Sequence, residues 1–250
     1  MAANRRSTVD TAEIERFAAI APEWWNENGA FRPLHRLNPA RIEYLRDRLA
    51  AHFERDIKTR AAFAGLSLLD IGCGGGLICE PMARLGFTVT GIDADATALA
   101  VAREHAAAQE LGIDYRDDDA EHLAMRDRRF DAVLALEVVE HAADPALFVA
   151  TAAGLVKPGG ALILSTINRT PKAYAAAIVG AEYLLRWLPR GTHEYRKFRR
   201  PSELARAVRA AGLVVGDITG LAYDPWRDRW QQTSDLGINY LLFATLPKYK

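Results

Sequence analysis

Three groups of residues in this 250-residue chain have types and spacings suited to chemistry. The first is LLDIGCGGG at 68–76, where an apolar run meets Gly72, Gly74 and Gly76, with Gly75 between, and Asp70 just ahead. Bare backbone at a strand-to-helix turn lets a chain approach a bound nucleotide closely. The second is Asp93, which ends the apolar stretch TVTGID 21 residues after Gly72. A carboxylate placed there accepts hydrogen bonds from both hydroxyls of a ribose. The third is Glu137, Glu140 and His141 in LEVVEH. If the chain turns helically at this point, the three share a face. Two carboxylates and an imidazole can hold a divalent metal, and a set of mainly oxygen donors suits Mg2+. The same residues can instead brace the turn without an ion, or His141 alone can act as a general base.

The elements that must position these groups alternate from residue 66 onward. LSLLDIG reads as a strand, LICEPMARLG as a helix ended by Gly86, and TVTGIDA as a second strand. DATALAVAREHAAAQELG is a helix with Asp95 as its cap and Gly112 as its stop. IDYRDDD and RFDAVLALEVV are strands, DPALFVATAAGLVKPGG a helix running into a turn, and ALILSTIN a strand. Strands alternating with helices imply an α/β, Rossmann-like fold: a parallel sheet with helices on both faces. PSELARAVRAAG is then a helix capped by Ser202 or begun at Pro201, and VVGDITGLAYDP and INYLLFATL are strands with no helix between them. Such a pair runs antiparallel, giving a seven-stranded mixed sheet. Upstream, residues 10–60 have a helical pattern, with Asp10 or Thr11 as caps and Pro39 starting a second helix. The expected organisation is a helical cap at 1–60 and a nucleotide-binding domain at 61–250, interrupted by an insertion at 169–200.

Composition narrows the partners. Lys+Arg and Asp+Glu both total 32, so no global field points to nucleic acid. The N-terminal stretch has no apolar signal region, and no run of 18 residues is uncharged and apolar throughout. Cys73 and Cys79 are too few for a disulfide framework and read as reduced space-fillers. The insertion carries eight Lys/Arg against Glu182 and Glu194, a local net of +6, around the apolar stretch AYAAAIVGAEYLLRWL. That pattern fits contact with an anionic membrane, or a lid over the site with solvated charges.

A dinucleotide site carrying hydride wants G-x-G-x-x-G, and Leu77 stands where its third glycine belongs. The D-x-G-x-G-x-G run instead resembles the first motif of class I S-adenosylmethionine-dependent methyltransferases. FRPLHRLNPARIEYL, VKPGG, STINRT, VGAEYLLRWLPRGTHEYRKFRRPSEL and ITGL, together with DIGCGGG and LEVVEH, resemble the ubiquinone-biosynthesis O-methyltransferase family. The resemblance runs in register from Asp10 to Leu246. It implies S-adenosylmethionine as cofactor, with Asp70 facing its ammonium group directly or through water and Asp93 holding the ribose. Asp119 would accept from the adenine amine, Ala120 would present its backbone N–H, and Leu136 would pack beside the methionine portion. Arg41 would reach the methionine carboxylate, where a reading without the resemblance makes it a solvated helix residue.

The family methylates phenolic hydroxyls on polyprenylated rings, at two stages of ubiquinone synthesis. A phenol, with a pKa of about 10, needs a base or a cation to ionise at neutral pH. Mg2+ on Glu137, Glu140 and His141 would bind catechol-like oxygens and depress their pKa, or His141 would take the proton directly. The expected setting is the cytoplasm, with peripheral contact to the inner face of the membrane and a place in a ubiquinone-biosynthesis complex. Competing readings are a methyltransferase of a soluble phenol and a non-catalytic cofactor-binding scaffold. The intact glycine loop, Asp93 and LEVVEH disfavour the scaffold. His35 and His193 are candidates for the substrate cavity, and Trp24, Trp25 and Trp187 for ring stacking, with packing the plainer role for each.

Overall fold

The computed structural model describes residue 18 and residues 20–175 and 195–248. The helix caps at Asp10 and Thr11, Trp187, His193 and the apolar centre of the insertion lie outside the described residues. The strands are β1 (Ser67–Ile71), β2 (Thr88–Asp93), β3 (Asp114–Asp117), β4 (Phe130–Leu136), β5 (Val156–Ile167), β6 (Val214–Asp224), β7 (Arg229–Thr233) and β8 (Asn239–Thr245). They form one sheet in the order β3-β2-β1-β4-β5-β8-β6-β7. The first five pair in parallel, and β8 lies antiparallel between β5 and β6.

The expected antiparallel pair of late strands is therefore present, but the strand count is eight. The extra strand is β7, a hairpin partner of β6 on the sheet edge, in register from Gly220↔Thr233 to Asp224↔Arg229. Its sequence, RWQQT, is short and polar because an edge strand needs no apolar alternation to pair.

Side chains alternate between the two faces of each strand, and both faces are covered. On one face Leu68, Leu134, Ile163 and Phe243 pack with Tyr44, Leu45 and Leu49 of α1 (Arg32–Phe53), Met82 of α2 (Cys79–Arg84) and Leu99 of α3 (Ala96–Ala108). On the other, Leu69, Val133, Leu162 and Leu242 pack with Leu123 of α4 (Ala120–Met125), Phe148 of α5 (Pro145–Gly154) and Leu204 of α6 (Pro201–Ala210). Each such apolar side chain contributes roughly 1.5–3 kcal/mol by leaving water.

Asp95 caps α3 as expected, accepting from the Thr97 amide, and α6 begins at Pro201. Two boundaries differ from expectation. Pro39 lies inside α1, which starts at Arg32 with Pro33 in its first turn. The lost hydrogen bond at Pro39 is tolerated because its neighbours Leu37, Asn38, Ala40 and Arg41 are all buried. At the end of α3 the left-handed residue is Glu110, at φ 56°, and not Gly112.

Candidate active site

β1 pairs with β2 on one side and β4 on the other, so strand order reverses between β1 and β4. Open parallel sheets bind ligands at the carboxyl edge beside such a switch point. The glycine loop leaves β1 there with Gly72, Gly74 and Gly76 at φ 72°, 51° and 86°. L side chains rarely adopt these angles. Their neighbours also exclude a side chain. A Cβ on Gly72 would sit 2.5 Å from Val138, one on Gly74 or Gly75 would overlap Trp24, and one on Gly76 would overlap the Tyr115 hydroxyl. The loop is thus bare partly because the protein itself closes on it.

Asp93, at the end of β2, accepts the Gly74 N–H at 2.8 Å and the Asp95 N–H at 2.9 Å. Burial pushes its carboxyl up, and these backbone donors hold it back. The Ala94 N–H also bonds to it; an ionised carboxylate has about four acceptor positions, so one remains. Asp70, near the end of β1, is buried, and burial pushes its carboxyl up to about 7. The Cys79 thiol lies 3.3 Å from it. Burial also pushes both thiols up, so Cys73 and Cys79 stay protonated fillers. Beyond β3, Asp119 caps α4 by accepting the His122 N–H at 2.7 Å, and Ala120 is buried behind it. Leu136 ends β4, half-buried.

The turn after β4 holds the densest polar network. Glu137 has a left-handed backbone at φ 57°, a conformation costing about 1–3 kcal/mol for a non-glycine residue. Several bonds hold it. Its N–H donates to Ser165 O and Oγ, both at 3.1 Å, and its Oε1 accepts Ser165 Oγ–H at 2.9 Å and Arg41 at 2.5 Å. Arg41 is only 4% exposed, and its other contact is Asn38 Oδ1 at 3.4 Å. Its buried Nε has no hydrogen-bond partner among the described residues. Arg41 and Asp93 both act on the charge of Asp70, which brings β1, β2 and α1 to one place. Glu140 is buried, accepts Thr166 Oγ1–H at 2.8 Å and is hydrogen-bonded to Glu137. Burial first, then the negative charge of Glu137, push its carboxyl well above the ordinary range.

The structure therefore brings Glu137 and Glu140 together but does not gather His141 with them. The left-handed backbone at Glu137 breaks the helical turn that would have aligned all three. Among the described residues, the only metal-type trio with donor atoms within 4.8 Å of one another is Asp118, Asp119 and His122. Arg126 already lies 3.2 Å from Asp118, so that trio carries its own cation.

Sequence reasoning did not find the strap at 20–31. Trp24 covers Gly74 and Gly75 and stacks on Phe31 at 3.7 Å. Trp25 donates to Gly75 O at 3.0 Å and stacks on His105 at 3.5 Å, which meets the buried Glu80 at 2.6 Å. His35 lies 2.7 Å from Trp24 O, so its role is to brace the strap. In the insertion, Arg169 pairs with Glu203 and Lys172 with Asp235. No helix among the described residues is long and apolar enough to cross a membrane.

Residues 69–164 match a methyltransferase domain family. A ubiquinone biosynthesis O-methyltransferase of Chelativorans sp. (strain BNC1) is 56% identical over 97% of this chain and 96% of its own length. A protein of the same name from Brucella anthropi is 53% identical over 99% and 100%. In fold, the chain is similar to magnesium protoporphyrin IX methyltransferase from Synechocystis PCC 6803, solved with bound SAH. That match has a TM-score of 0.64 at 16% identity over 94% of this chain and 98% of the other. With over half its residues identical to such relatives along nearly its whole length, the chain belongs to the ubiquinone biosynthesis O-methyltransferase family.

Proposed function

We infer that this protein transfers the methyl group of S-adenosylmethionine to phenolic hydroxyls on polyprenylated rings, at the O-methylation steps of ubiquinone biosynthesis. What carries this reading is the meeting of Arg41, Asp70, Asp93 and the Glu137–Glu140 pair at one switch point, in a chain of this family.

S-adenosylmethionine, when bound, supplies a methyl carbon on a sulfonium, open to in-line attack by oxygen. The residues present fit it. Arg41 suits its carboxylate, because Nε is a buried donor still to be matched. Asp70 suits its ammonium group, since a cation beside a carboxyl titrating near 7 holds it ionised. Asp93, at the end of β2, keeps an acceptor position toward the ribose hydroxyls. Asp119 and Ala120 stand at the end of β3 for the adenine, and Leu136 packs beside the methionine portion. The glycines at 72, 74 and 76 leave backbone alone at the cofactor's edge.

The acceptor must lose a proton. A divalent cation such as Mg2+ supplies charge that depresses the pKa of phenolic oxygens. Glu137 and Glu140 are the pair that would hold it, because Mg2+ accepts one or two carboxylates and completes its shell with water and ligand. Half-buried Glu137, already paired with Arg41, and buried Glu140 are hydrogen-bonded to each other, and added positive charge beside Glu140 offsets the crowding of the two carboxyls. His141, in the same turn, is the candidate general base for the phenol proton. Arg41 of α1 and Trp24 of the strap stand over the site from upstream of residue 60. The net positive charge of the 169–200 insertion draws the protein peripherally to the cytoplasmic face of an anionic membrane, where polyprenylated acceptors and the other enzymes of the pathway reside.

Purified protein given deuteromethyl-labelled cofactor and polyprenyl-dihydroxyphenol should yield an ether carrying one labelled methyl, read by mass spectrometry. Labelling of a tail-free phenol with no labelling of the polyprenylated one would overturn the acceptor assignment.

A further inference from the structure

Trp226 is 95% exposed, the most exposed large hydrophobic side chain among the described residues. It sits in the turn Pro225–Asp228, which joins β6 to the unanticipated β7, and that whole turn is exposed. β6 last pairs with β8 at Gly220↔Tyr240, level with Thr166 near the end of β5. Four more residues carry β6 to Asp224, about 13 Å at the rise of a strand. β6 runs parallel to β5, β4 and β1, so the hairpin projects from the same edge as the glycine loop and the Glu137 turn. Pairing with β7 makes this projection rigid.

The tip is basic as well as aromatic. Arg227 and Arg229 belong to it, and Arg36 of α1 pairs with Asp228 and lies 5.7 Å over the Tyr223 ring. Arg32 of the same helix also acts on Asp228. Four arginines thus stand against Asp224 and Asp228, and each aspartate already has an arginine partner. An amphipathic indole beside surplus cations suits the headgroup layer of a bilayer.

We propose that the β6–β7 hairpin tip docks the protein on an anionic lipid surface, with Trp226 in the headgroup layer and Arg32 and Arg229, the arginines beyond the two aspartate pairs, against phosphates. The choice of partner rests on the polyprenylated acceptor of the proposed function, whose ring must reach this edge from a bilayer.

The test uses the full chain with vesicles of phosphatidylcholine and phosphatidylglycerol brominated in their acyl chains. The emission difference between wild type and Trp226→Phe isolates this one indole from the other four. That difference should shift to the blue and be quenched on anionic vesicles. Arg32→Gln with Arg229→Gln should lower vesicle partition about thirty-fold at low salt, the contribution of two basic residues near an anionic leaflet. A difference signal indifferent to vesicles, or unchanged partition of the double variant, overturns the proposal. Both variants should methylate a water-soluble catechol as wild type does, and loss of that turnover would make the hairpin part of the active site instead. Quenching that persists when no polyprenylated phenol is methylated supports the docking surface and removes the acceptor reading alone.

Discussion

Replacing Arg41 with methionine separates the two partners assigned to its guanidinium. Methionine keeps the buried stem, so packing in α1 is largely retained. On the protein side, Glu137 loses a contact at 2.5 Å while keeping both bonds from Ser165, and its side chain is 25% exposed. The full penalty for orphaning a buried charge, about 3–5 kcal/mol, is therefore discounted to about 1–2 kcal/mol. On the ligand side, loss of a charge-assisted hydrogen bond costs about 1.5–3 kcal/mol, or roughly ten- to hundredfold in affinity. Calorimetry with S-adenosylmethionine should show that weakening. The same titration with the decarboxylated cofactor should give equal affinities for wild type and Arg41→Met, because the group Arg41 meets is gone. A variant that loses thermal stability but binds the intact cofactor as tightly as wild type would refute the assignment and leave Arg41 a partner of Glu137 only.

Three further outcomes follow from the same site. Asp70 titrates near 7 in the cofactor-free protein, raised from the usual carboxylate value, so the folded state binds the extra proton and apo stability declines as pH rises from about 4 to 7. Because the ammonium group requires the ionised form, cofactor affinity should fall as pH drops below 7, by up to about tenfold per unit. Asp70→Asn should flatten both profiles, and a flat wild-type binding profile would contradict the role. Gly74→Ala combines φ 51° with overlap on Trp24, a cost of about 2–5 kcal/mol, so melting should fall by roughly 5–15 °C; an unchanged melting temperature would mean the strap does not press on the loop. Chelator should suppress turnover and Mg2+ restore it without altering cofactor affinity, and full turnover by metal-free protein would remove the cation and leave His141 as base.

What the sequence made legible is what local spacing encodes. The glycine loop and Asp93 each lie at the end of a strand whose apolar run announces it, and Asp119 follows the short polar β3 that the alternation still places, so their meeting at one edge follows from the α/β alternation. Arg41 and Glu137 are 96 residues apart, and nothing in either segment signals their pair. Trp24 reaches Gly74 across 50 residues, and indole-rich segments near a terminus look alike whether they pack on a core or on a loop. The left-handed backbone at Glu137 is set by Ser165 from β5, so the helical face expected for 137, 140 and 141 had no local warning against it. Pro39 and β7 were missed for opposite reasons. Tertiary burial carries α1 through a residue that ordinarily starts helices, and hairpin pairing makes a strand of a polar segment with no strand period.

The central claim is that one constellation at the β1/β4 switch point holds both cofactor and acceptor, and a crystal structure with S-adenosylhomocysteine and a short-tailed dihydroxyphenol tests it most directly. The account predicts the ligand carboxylate on Arg41, the ammonium group at Asp70, the ribose hydroxyls on Asp93 and the adenine at Asp119 and Ala120. It also predicts a phenolic oxygen beside the Glu137–Glu140 turn, in line with the sulfur. A carboxylate bound away from Arg41, or a phenol ring on the far side of the glycine loop from Glu137, would contradict it.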